Sequence, residues 1–146
     1  MNSLAELVHP VYGLRFSPYG NVQSEHRVFP ADQIKSLLDD PSSYTWGSYD
    51  GSGEPIALTF GDYFQRFVWS QDFSQAAQVS FDQRLGMGNT LENSHDFFPG
   101  AVVVEYYNPG RDPAYAGMDW QSLRLVFQPD GMGWKLVGII HDEWTI

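Results

Sequence analysis

The last third of the chain constrains the fold most, because it holds three strand-forming runs in succession. Val102 to Tyr107, Leu123 to Phe127 and Trp134 to Ile140 are rich in β-branched and aromatic residues, and Asn108-Pro109-Gly110 and Pro129-Asp130-Gly131 punctuate them. Such runs predict an antiparallel meander. The last of them leads into His141, Asp142, Glu143 and Trp144, the densest ionisable cluster in the chain. A site on this sheet is therefore expected near its C-terminal end.

Upstream, the patterns alternate between helix and strand. Ser3 and Glu6 have capping-box spacing, with Leu4, Leu7 and Val8 behind them and His9-Pro10 as the stop. Gly13 to Ser17 reads as a strand with Leu14 and Phe16 on one side and Arg15 on the other. Ile34, Leu37 and Leu38 recur at helical spacing until Asp39-Asp40-Pro41, and Tyr44 to Tyr49 and Ile56 to Leu58 flank a Gly-rich loop. Thr59 is placed as an N-cap, with Asp62 three residues on, and Phe60, Tyr63, Phe64, Phe67 and Val68 form one apolar stripe. This helix is expected to lie against a sheet. Val79 to Leu85 alternates as a strand with one wet face, the polar Ser80, Asp82 and Arg84 pointing outward.

These elements predict a single α+β domain over residues 1–146, a curved antiparallel sheet with helices packed on one face. Nuclear-transport-factor-2-like domains have this cone-like arrangement by analogy. A β-barrel decorated by helices is the alternative, because the last strand is apolar on both sides: Leu136 and Ile140 on one, Val137 and Ile139 on the other. A length of 146 residues suffices to bury one core, and 42% hydrophobic residues are far from the composition of a disordered chain.

Composition also removes function classes. A net charge of −10 with only two lysines, Lys35 and Lys135, repels phosphate backbones and anionic lipid, so no nucleic-acid partner is expected. The absence of cysteine rules out disulfides, thiolate catalysis and thiolate metal sites. No apolar run reaches the roughly 20 residues of a membrane span, and the first residues lack the basic and apolar regions of a signal peptide. His9, His26, His95 and His141 are too scattered for a metal site, and Gly86-Met87-Gly88 lacks the third glycine of a dinucleotide loop. No cofactor is expected.

Two groups of residues are candidates for chemistry. A hairpin register that sets Leu123, Leu125 and Phe127 beside Trp134, Leu136 and Ile140 sends Arg124, His141 and Glu143 to the opposite face, with Asp142 and Trp144 on the core side. His141 would then act as acid or base, Glu143 or Asp142 would orient it, and Arg124 would stabilise an anion. The competing reading is an ion-pair network at the end of the strand. Ser94-His95-Asp96 imitates a hydrolytic triad in print only, since triad members meet through the fold, and a local turn is the expected structure. The second group is aromatic. Trp46, Tyr49, Tyr115 and Trp120 fall in strands, turns and loops, where such rings line ligand-binding concavities or fill cores.

Four strings carry a resemblance that covers nearly the whole chain: Arg15-Phe16-Ser17-Pro18-Tyr19-Gly20, Tyr49 to Ile56 (YDGSGEPI), Gly117 to Phe127 (GMDWQSLRLVF) and Leu136 to Ile146 (LVGIIHDEWTI). In these the chain resembles a family of uncharacterised bacterial domains found at the C-terminus of exported or lipoprotein-like proteins, sometimes after SH3-like modules. The resemblance implies an extracytoplasmic or cell-envelope setting and supplies no catalytic residues. The expected function is a non-catalytic accessory domain of the envelope that binds a small molecule or a protein. The alternatives are a small acid–base enzyme around His141 and a homodimerisation module using the exposed face of the terminal sheet.

Overall fold

Strand-formers dominate the C-terminal third while helix and strand signals alternate before it, and the computed structural model, which describes residues 1–145, follows that division. Helix α1 (Asn2–Leu7) precedes β1 (Leu14–Ser17) and β2 (Val28–Phe29). Helix α2 (Ala31–Ile34) leads through a 3-10 turn to the hairpin β3 (Ser43–Ser48) and β4 (Pro55–Thr59), which runs directly into α3 (Phe60–Phe67). Then come β5 (Gln78–Phe81), the one-turn helix α4 (Ser94–Phe97), β6 (Val102–Asn108), β7 (Gln121–Asp130) and β8 (Gly133–Glu143). The order in the main curved sheet is β2-β1-β8-β7-β6-β5, and β3 and β4 form a separate pair. Among the described residues β2 and β5 remain free edges, which excludes the closed barrel.

The meander β5-β6-β7-β8 is antiparallel throughout, whereas β1 joins β8 in parallel, Phe16 opposite Ile139. A parallel neighbour more than a hundred residues away in sequence leaves no local signature. It explains why β8 is apolar on both sides, since a central strand is covered on both.

Helix α3 forms as its sequence dictates. Thr59 Oγ1 accepts a hydrogen bond from the Asp62 N–H at 3.2 Å, and Phe60, Tyr63 and Phe67 face inward while Asp62, Gln65 and Arg66 face water. Trp46 of β3 stacks on Tyr63 with ring centroids 4.1 Å apart, and Phe16 of β1 meets Trp46, Phe60 and Tyr63 edge-on. The Trp46 indole N–H is satisfied by the Leu58 carbonyl at 2.9 Å. This aromatic core lies on the sheet face that carries Leu123, Leu136 and Ile139. The opposite face has its own smaller core of Val22, Phe98, Val103, Val126, Val137 and Ile140, partly built from α4.

Four local expectations shift. Helix α1 begins two residues early, with Met1 at its cap and no side-chain cap bond, so Ser3 and Glu6 form no capping box. The Ile34 to Leu38 segment breaks after one turn, where the Ser36 hydroxyl donates to the Gln33 carbonyl and diverts the backbone. Strand β5 stops at Phe81 because Asp82 takes a left-handed φ of 56°. Its burial is also inverted: Ser80 is buried, and Val79 and Phe81 stand in solvent.

The fourth shift governs the site. In the β7–β8 ladder Phe127 pairs with Leu136 but Val126 with Gly138, so Val137 is an extra residue, a bulge. Every side chain beyond it changes face relative to a regular ladder. Leu136 and Ile139 therefore share the aromatic core, and Val137 and Ile140 share the other.

Candidate functional site

The bulge separates the four ionisable candidates into two pairs. Arg124 and Asp142 lie on the face of the smaller core, and His141 and Glu143 lie on the face of α3, which corrects the predicted grouping of Arg124 with His141 and Glu143. Asp142 does not share the core side with its neighbours but belongs to a buried polar cluster.

In that cluster Arg124 Nε donates to Glu105 Oε1 at 2.9 Å, Nη1 to Asp142 Oδ2 at 2.7 Å and Nη2 to the Gly86 carbonyl at 3.0 Å. Glu105 also accepts from the Leu85 and Gly86 N–H groups and from Ser122 Oγ. Glu105 stands opposite Arg124 in the β6–β7 ladder, which places the two charges side by side. Burial alone would push the Glu105 carboxyl up. Arg124, with the hydrogen bonds from Ser122 and Gly86, outweighs that and holds it below the usual carboxylate range. Burial pushes the Asp142 carboxyl up against the pull of Arg124. All of these groups are engaged with one another. The cluster ties the 84–90 loop and the final strand to the sheet, the work of an ion-pair network.

His141 is completely buried against Phe67, with Nδ1 3.2 Å from the Pro18 carbonyl and Nε2 3.3 Å from Gln121 Oε1. Glu143 Oε1 is 3.7 Å from Nδ1 and is itself paired with Arg66 at 2.6 Å. Burial, aided by the Arg66 charge, pushes the His141 imidazole down to about 3. It is neutral at physiological pH, sealed from solvent and wedged between β1 and β7.

The aromatic candidates also divide. Trp46 is wholly buried in the main core, and Trp120 is buried against Tyr107 and the 86–88 loop. Both are packing residues, because large rings are the cheapest way to fill a small core. Tyr115 is exposed on a 3-10 turn of the β6–β7 loop. Tyr49 alone of the four lines a described cavity.

That cavity, of about 400 Å³, lies between the 19–27 loop and the β3–β4 hairpin and is lined by Tyr19, Asn21, Gln23, Tyr49 and Asp50 among others. A second, of about 520 Å³, opens on the other side of the same loop against Arg27, Thr45, Gly47 and Pro55. Glu25, His26 and Ser48 line both, so the two are halves of one groove divided by His26. In the sequence His26 is only one of four scattered histidines. No local pattern marks it.

His26 is buried, and its position is imposed by β1. Arg15 Nη1 donates to the carbonyls of Ser24 at 3.0 Å and His26 at 2.7 Å, curling the loop around the guanidinium. The Gln23 N–H donates to His26 Nδ1 at 3.1 Å, so Nδ1 is the unprotonated nitrogen and Nε2 carries the hydrogen. Nε2 has no hydrogen-bond partner among the described residues. Gly47, at φ 134°, gives it room, since a Cβ there would come within 3.1 Å of Nε2. Burial, reinforced by the charge of Arg15, pushes the imidazole down to about 4, so the ring is a neutral donor.

The Ser94-His95-Asp96 string forms no triad. His95 Nε2 lies 2.9 Å from Asp82, not Asp96, and Ser94 is buried at the start of α4. Among the described residues no cluster of three His, Asp or Glu side chains could hold a metal ion, and no helix is long and apolar enough to cross a membrane. The class defined by fold and site is thus an α+β domain with a polar surface groove and a buried ionic cluster. Comparisons with protein-family models, with curated proteins and with solved structures find no match to this chain.

Proposed function

We propose that this chain is a non-catalytic ligand-binding accessory domain of the bacterial cell envelope, and that it binds at the groove divided by His26. The observation that carries the reading is a buried histidine whose Nδ1 is committed to the Gln23 N–H while Nε2–H is left without a partner beside the cavity. That N–H is not sealed from solvent, so it is a fixed donor at which a ligand oxygen can take the place of water. The envelope setting rests on the resemblance carried by the four sequence strings.

The lining selects the chemical class. Glu25 and Asp50 disfavour anions, and Arg27 is occupied by the Thr45 carbonyl at 3.1 Å and the Tyr44 ring. Asn21, Gln23 and Ser48 provide amide and hydroxyl groups beside the rings of Tyr19 and Tyr49. Polar side chains beside aromatic rings suit a neutral, hydroxyl-bearing ligand such as a saccharide. The two reactive groups that a catalytic reading requires, a titratable His141 and a free carboxylate beside it, are respectively sealed and already paired.

The test is a nitrogen–proton correlation spectrum of the labelled protein titrated with chitotriose, a neutral N-acetylated saccharide. Saturable shifts confined to residues 19–27 and 43–55, lost in His26→Phe, are expected. Shifts scattered elsewhere, or none with any neutral saccharide or glycopeptide, sink the reading.

A further inference from the structure

The inverted burial of β5 exposes a surface that the groove does not use. Val79 is 48% and Phe81 70% exposed, and both point to the same sheet face as the aromatic core. The ladder makes their surroundings continuous. Val79 pairs with Tyr106 and Phe81 with Val104, while Val104 and Val102 pair with Leu125 and Phe127. Helix α3 covers the β1–β8 side of this face, and over β6 and β7 only the short segment after it, carrying Trp69 and Phe73, gives partial cover. Trp69, 45% exposed just after α3, Phe73 and the sheet residues Tyr106, Leu123 and Leu125 wall a cavity of about 250 Å³ that is apolar apart from Ser74. Trp134, 51% exposed, extends the surface along the Phe127–Leu136 row.

We propose that this half-face is the interface of a homodimer in which two copies pack sheet against sheet about a two-fold axis. Charge selects the occupant. In a chain with 26 charged residues and a net charge of −10, the sheet positions on this side that reach solvent, Val79 and Phe81 fully and Val102, Tyr106, Leu125 and Phe127 in part, include no charged group. Two acidic copies meeting there bring no like charges together, whereas a basic partner drawn to the net charge would find nothing on this patch to pair with. A two-fold contact also requires only that the patch complement itself.

Area agrees. Taking an aromatic side chain as about 150–250 Å², the exposed parts of these residues come to roughly 600 Å² per copy. That is at the upper end of apolar patches on monomers and most of the roughly 800 Å² that each partner of a standard interface buries. The contact is face to face rather than edge to edge, because β5 offers only four residues of free edge before Asp82 turns the chain away. Facing sheets pack about 10 Å apart, a distance that interdigitated Phe81, Tyr106 and Leu125 side chains fill.

Sedimentation equilibrium of the full chain over a wide concentration range tests this. A species of twice 16.6 kDa is expected for the wild type. Phe81→Glu and Val79→Glu, at exposed positions that leave the core intact, should raise the dissociation constant at least a hundredfold, while Leu91→Glu, exposed in a distant loop, should not change it. Circular dichroism confirms that each variant folds. A wild type that remains at 16.6 kDa at every concentration overturns the proposal, as does a dimer indifferent to both β5 substitutions. Neither result bears on saccharide binding at His26.

Discussion

Arg124 donates to Asp142 across 2.7 Å between neighbouring strands, and both side chains are buried almost completely. The same guanidinium holds Glu105 at 2.9 Å, so one cation serves two carboxylates and a loop carbonyl at once. A buried network of this kind is fragile to removal of its centre.

Arg124→Met should lower unfolding stability by about 3–5 kcal/mol, since it leaves Glu105 and Asp142 buried without compensation. Urea denaturation measures the loss. A change below about 1 kcal/mol would mean that the carboxylates reach water in the native state.

Acid should destabilise the fold in two separate windows. The His141 imidazole falls from 6.5 unfolded to about 3 folded, so the unfolded chain takes up its proton first and stability declines as pH drops below 6.5. The loss by pH 5 is about 2 kcal/mol from this group alone. Glu105, whose pKa is lowered by folding, keeps its contribution above its unfolded value of 4.5 and loses it only at lower pH. His141→Gln should roughly halve the slope between pH 7 and 5, leaving the share of His26, whose imidazole is also pushed down to about 4. An unchanged slope would show that the native His141 imidazole takes up its proton as readily as the unfolded one.

Gly86 lies flat against Trp120. An added Cβ would overlap the indole ring and come within 2.6 Å of Ser122 Oγ. Gly86→Ala should cost about 1–3 kcal/mol, the usual penalty of overpacking. In a double-mutant cycle that cost should shrink when Trp120 is replaced by Leu, because the two residues share one space. Additive costs would refute the contact.

Tyr63 stacks on Trp46, but its hydroxyl is buried without a hydrogen-bond partner among the described residues. Tyr63→Phe keeps the ring and removes the orphaned group. Thermal unfolding should show equal or greater stability, by up to about 1 kcal/mol. A clear loss would reveal a bound water bridging the hydroxyl.

Much of this architecture was legible locally. The cap at Thr59, the Phe60–Tyr63–Phe67 stripe and the three terminal strands are written in periodicity and turn residues, which report on neighbours within a few positions. The candidate site was legible only in its membership. Arg124, His141, Asp142 and Glu143 do lie together at the end of the sheet, yet their grouping depended on face, and the bulge at Val137 reversed it. A strand apolar on both sides offers no alternation from which a bulge can be detected.

His26 and β5 show the same division from the opposite direction. His26 acquires its place through Arg15, Gln23 and Gly47, from three separate segments, and β5 exposes Val79 and Phe81 although its alternation assigns them inward. By itself the sequence determined helix α3 and the three terminal strands, because capping, turn chemistry and periodicity act over a few residues. The tertiary structure alone decided the parallel β1–β8 pairing, the bulge, and which polar groups are sealed and which meet solvent. Those outcomes are set by how distant side chains share one packed volume, and no short-range pattern encodes that.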